Sequence, residues 1–78
     1  MQQHIPVFVR GAWLPVAVPN HLTSSAMRFA YATAWVAARQ KDMSEHDSHI
    51  VAEAIVYQRM YPGLVHSEKV RDMIQKMS

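Results

Sequence analysis

The chain has 78 residues, half of them apolar, a formal net charge of +2 and no cysteine. A length of this order supports one domain with a modest core, burying roughly 60–65% of the surface of the unfolded chain, and the lack of cysteine excludes disulfide staples and thiolate metal sites. No run approaches the ~18 consecutive apolar residues of a membrane helix, and Met1-Gln2-Gln3-His4 lacks the basic-then-apolar layout of a secretory signal, so the chain reads as cytoplasmic with no membrane partner.

His4–Val18 reads as a β-hairpin. Ile5, Val7 and Val9 alternate with their neighbours, as do Ala12, Leu14 and Val16, and Arg10-Gly11 supplies a two-residue turn in which Gly tolerates the required φ > 0. This register pairs Val9 with Ala12, Val7 with Leu14 and Ile5 with Val16 on one face. Phe8 then lies opposite Trp13, and Pro6 opposite Pro15, on the other. The Phe8–Trp13 and Pro6–Pro15 pairs are of the non-hydrogen-bonded type, so each proline removes a donor from an outer edge and the ribbon resists extension into a larger sheet. Such a ribbon must lie on helices, with Ile5, Val7, Leu14 and Val16 buried. Phe8 and Trp13 are expected to be covered by the first helix; left exposed, they would form a binding pair.

The alanine-rich stretch 24–41 reads as the central helix, after a short connection in which Asn20, Thr23 or Ser24 serves as cap. At about 100° per residue, Met27, Tyr31 and Trp35 fall on one flank and Phe29 and Val36 on the other. Ala26, Ala30, Ala34 and Ala37 fill the strip between, so neighbours are expected on more than one side. Arg28, Ala32, Trp35 and Arg39 form the narrow strip left for solvent. A second helix, about 44–61, opens with Ser44-Glu45-His46-Asp47 as a capping box carrying Asp in place of Glu, and Pro62-Gly63 stops it. A third, about 67–77, starts at Ser67 and shows Val70, Met73, Ile74 and Met77 at helical spacing. The fold expected is α+β, mainly α: an N-terminal two-stranded antiparallel hairpin on three helices, with residues 1–78 as a single domain.

Charge is unevenly placed. Residues 1–41 carry Arg10, Arg28, Arg39 and Lys41 and no acid, giving +4; residues 42–78 carry four bases and six acids, giving −2. The basic half suits nucleic acid or an acidic protein surface.

Little in the chain suggests catalysis. There are only two glycines, hence no phosphate-binding loop, and no serine stands in an elbow motif, so the protein is read as a non-enzyme without cofactor. His46, His49 and Glu53, at i, i+3 and i+7 on the second helix, are weak metal candidates. No second cluster completes a site, and the reading preferred is no metal, with acids at a helix N-terminus and histidines behind them. Two macromolecular readings remain. Arg28, Trp35 and Arg39 combine the residue types most enriched at interface hot spots and point to a larger protein partner. Arg10, Arg28, Arg39 and Lys41 are the alternative, a DNA- or RNA-binding set. Ten alanines make a thin core, which suits self-association as a homodimer as well. The function expected is regulation or inhibition by binding a larger protein, in the manner of the small motif-poor chains that phages and other mobile elements use to occlude host proteins.

Overall fold

The computed structural model describes residues 3–77. It opens with β1 (Gln3–Val9) and β2 (Ala12–Val18), an antiparallel pair in the register expected, with Val9 facing Ala12, Phe8 facing Trp13 and Pro6 facing Pro15. Arg10 and Gly11 close it with φ of 51° and 80°, the two positive values of a type I′ turn, whose twist matches that of the ribbon. Glycine takes this conformation freely and arginine does not. The side chain of Arg10 is anchored in return, donating to the Gln40 carbonyl at 3.2 Å and pairing with the Asp42 carboxylate.

Three helices follow, α1 (Ser25–Gln40), α2 (Glu45–Met60) and α3 (Glu68–Lys76). Each is preceded by a serine whose hydroxyl accepts the N–H three residues on: Ser24 from Met27, Ser44 from Asp47 and Ser67 from Val70. These caps satisfy a donor that the helix itself cannot pair. The chain leaves α1 through Asp42, at φ 66°. The Asp42 N–H bonds back to the Arg39 carbonyl and the Met43 N–H to that of Ala38, an αL exit that consumes orphan carbonyls. Among the described residues no helix is long and apolar enough to cross a membrane.

The elements pack in series. The hairpin lies on one side of α1, α2 lies on another, and among the described elements α3 touches only α2. The core runs through this stack as Val9, Val16, Val18 and Leu22 from the N-terminal part, Ala30, Tyr31, Ala34 and Trp35 from α1, and Ala52 and Val56 from α2. Small alanines at the α1–α2 contact let the two axes approach closely while valines supply the buried area.

Two expectations about α1 are overturned. Trp35 is only 2% exposed and Ala32 is buried, so the strip Arg28–Ala32–Trp35–Arg39 is not a free surface. The hairpin covers this side, and the arginines stay wet at its borders. The Arg28 guanidinium donates to the Thr23 carbonyl at 2.6 Å, and that of Arg39 donates to Met43 at 2.8 Å while lying over the Trp35 ring. Phe29, placed on a packed flank by its spacing, is instead 73% exposed. Phe8 and Trp13 are not covered by α1 either, because a two-stranded ribbon has one face to bury and Val9, Val16 and Val18 occupy it.

Candidate functional site

The uncovered side chains meet. Phe8 and Trp13 form an edge-to-face pair with centroids 5.3 Å apart, and remain 54% and 69% exposed. They stand at one wall of a groove of about 320 Å³ between the hairpin and α1. The other wall is Phe29, Ala32, Thr33 and Val36, a ridge at i, i+3, i+4 and i+7 of α1, and Ile5, Pro6 and Val7 lie along β1. No lining residue is charged. Beyond it the outward arc of α1 continues with Ala26 and Gln40, both exposed and again uncharged. Pairing the two rings edge to face adds roughly 0.5–1.5 kcal/mol, but it leaves most of the indole in water.

Two histidines pair with tyrosines across the helices. The Tyr31 hydroxyl lies 2.7 Å from His49 Nδ1, which places α1 against α2, and the Tyr57 hydroxyl lies 2.8 Å from His21 Nε2, which ties the α1 approach to α2. Burial, with Glu53 and Tyr57 adding to it, pushes the Tyr31 phenol up to about 12. Tyr57 is raised as well, by burial first and then by Glu53. His49 is pulled below its ordinary value, because burial against the helices outweighs the opposing pull of Glu45 and Glu53. A neutral His49 accepts a hydrogen bond from the Tyr31 hydroxyl at Nδ1 and lies obliquely beside Trp35 at 5.8 Å. It therefore works as part of the helix interface. The described residues contain no group of three His, Asp or Glu able to hold a metal ion, and His46, His49 and Glu53 are not brought together.

The basic residues do not form a patch. Arg10 pairs with Asp42, Arg28 and Arg39 donate to nearby carbonyls, and Lys41 is exposed at the end of α1. Arg39 lies over the buried Trp35 while Arg28 turns to Thr23 and Ser25 at the start of α1, so the three residues selected as a protein-binding strip do not form one free surface. The indole N–H of Trp35 has no hydrogen-bond partner among the described residues. The residues that sequence spacing missed are Phe8, Trp13 and Phe29 as one group. A signal for Phe29 was present: Thr33 and Gln40 share its ridge, and polar residues two turns apart mark the side that faces water.

Compared with known proteins, the chain matches no family model, no curated protein and no solved structure.

Proposed function

We propose that the protein is a small non-enzymatic regulator or inhibitor that acts by binding a larger protein through the uncharged face of Phe8, Trp13 and Phe29. The observation that carries this reading is the convergence of three exposed aromatic rings on one groove with no charged residue. Interfaces between proteins concentrate aromatic side chains and deplete charge at their centre, and buried aromatic anchors supply most of the affinity. A phosphate-bearing ligand would need cations at the groove, and there are none.

The test is capture of partners by the wild type, by a Trp13→Ala/Phe29→Ala double variant and by Val65→Ala as a remote exposed control. Loss of the same partner from the double variant alone supports the reading, and equal recovery by all three removes it. The alternative, a DNA- or RNA-binding regulator, would have to hold phosphate through Arg10, Arg28, Arg39 and Lys41, all of which lie outside the groove lining. That second reading requires DNA or RNA to shift in a native gel at low salt, with an affinity that falls steeply as salt rises.

A further inference from the structure

We propose that a second copy of this chain covers the same face when no other partner is bound, α1 packing antiparallel on α1 about a two-fold axis near Thr33. The inference rests on the protein-binding reading and adds what competes for the surface. The occupant is not a strand. Of the outward-facing residues of each hairpin edge, the central one is a proline, Pro6 on β1 and Pro15 on β2, so neither edge offers a continuous row of donors to an added strand. A helix fits instead, because Phe29, Thr33, Val36 and Gln40 make the ridge that packs into the groove of another helix.

The helix with the matching profile is α1 itself. An isologous contact must be self-complementary. Along α1 the ridge runs large, small, large, with exposed Phe29 and half-buried Val36 on either side of exposed Thr33, above the buried Ala32. Reversed about its centre, the ridge sets Phe29 of each copy beside Val36 of the other. Small residues at the crossing point then let the axes approach to roughly 8–10 Å. The lack of charge is what makes a like copy acceptable: a charged residue there would face itself across the axis. The rings also supply a large part of the area. At 54%, 69% and 73% exposure the three rings leave roughly 400 Å² in water, about half of the ~800 Å² per partner of a standard interface. Pro6, Ala26, Thr33 and Gln40, all exposed, extend the patch.

Sedimentation of the full chain over a wide concentration range tests this. The wild type and Val65→Ala should double in mass as concentration rises, and Trp13→Ala/Phe29→Ala should weaken association at least about tenfold. Thr33 is exposed, so Thr33→Glu and Thr33→Lys leave the fold intact, which thermal melts verify. Each should be monomeric alone, because like charges meet at the axis, and an equal mixture of the two should dimerise. A wild type that stays monomeric throughout, or a dimer indifferent to these substitutions, overturns the proposal. A monomer whose capture of a larger protein still depends on Trp13 and Phe29 overturns the dimer alone. A dimer that no partner displaces overturns the heterologous reading alone.

Discussion

Helices α1 and α3 both bury one side and turn the other to solvent, and they dress the outer side in opposite ways. Outward positions of α3 are Glu68, Lys69, Arg71, Asp72, Gln75 and Lys76, all exposed, a mixture of both signs that suits a permanently wet surface. The outward arc of α1 has Phe29 where α3 has charge, and the hairpin beside it adds Phe8 and Trp13. One chain therefore contains both solutions. Since α3 is solvated in the ordinary way, the bare face of α1 is a local property of that surface and not a consequence of an apolar composition. The short loop after α2 shows Tyr61, Leu64 and Val65 exposed, but its neighbouring groove includes Glu53, His66 and Ser67 and lacks the uninterrupted apolar lining.

The sharpest way to break this contrast is within α1 itself. Trp35→Ala should cost about 3–5 kcal/mol, as buried large-to-small changes do, and lower Tm by well over ~10 °C. Trp13→Ala and Phe29→Ala, aromatic too but exposed, should each change stability by no more than about 0.5–1 kcal/mol. Equal losses in thermal melts would mean that the outer rings are structural and would dissolve the distinction between scaffold and face.

A smaller effect comes from the α1–α2 contact under pH change. The Tyr31 phenol titrates near 12 in the fold against 10.0 unfolded, so its contribution is complete below pH 10 and is lost as pH rises through 12. The loss is of order 2–3 kcal/mol. His49 shifts the other way, below 6.5, so the fold holds fewer protons there than the unfolded chain does. Stability from this source is complete above pH 6.5 and declines as pH falls toward the folded value. Urea titrations across both ranges should show the alkaline loss flattened in Tyr31→Phe and the acid loss flattened in His49→Phe. Wild-type curves superimposable on those of the variants would show that the Tyr31–His49 contact is not what holds these helices.

The smallest effect is expected at the hairpin turn. Arg10→Ala removes an exposed ion pair worth about 0–1 kcal/mol but leaves a side chain at φ 51°. Arg10→Asn loses the same pair and gains a residue that tolerates this conformation, so denaturant midpoints should fall less for Asn than for Ala. The reverse order would mean that the pair with Asp42, not the turn conformation, governs how the hairpin seats beside α1.

The elements of the fold were legible in the sequence because local rules specify them. Alternation and the Arg10-Gly11 turn gave the register, and Ser24, Ser44 and Ser67 announced three helix starts to within a residue. What local rules do not specify is rotation: an alanine-rich helix with large residues on both flanks has several sides fit for burial. Arg28 and Arg39 seemed to mark the wet side. An arginine lays its aliphatic stem along apolar surface and keeps its guanidinium at the border, so Arg39 lies over a buried Trp35 instead and Arg28 turns to the Thr23 carbonyl. The Tyr31–His49 contact was invisible for the same reason, since it depends on how α2 is rotated against α1.

The serial packing has a consequence for how the molecule opens. α3 is nine residues long, has Met73 as its one buried residue and, among the described residues, packs on no element besides α2. Nothing on the far side of the stack holds it, so its detachment is the least costly sub-global opening available. Its amides should exchange with solvent ahead of those in α1 and α2, while the hairpin and α1, which carry the aromatic face, stay closed until the whole domain unfolds. The aromatic face thus sits at the protected end of the molecule, and breathing is confined to the end that already carries the charge.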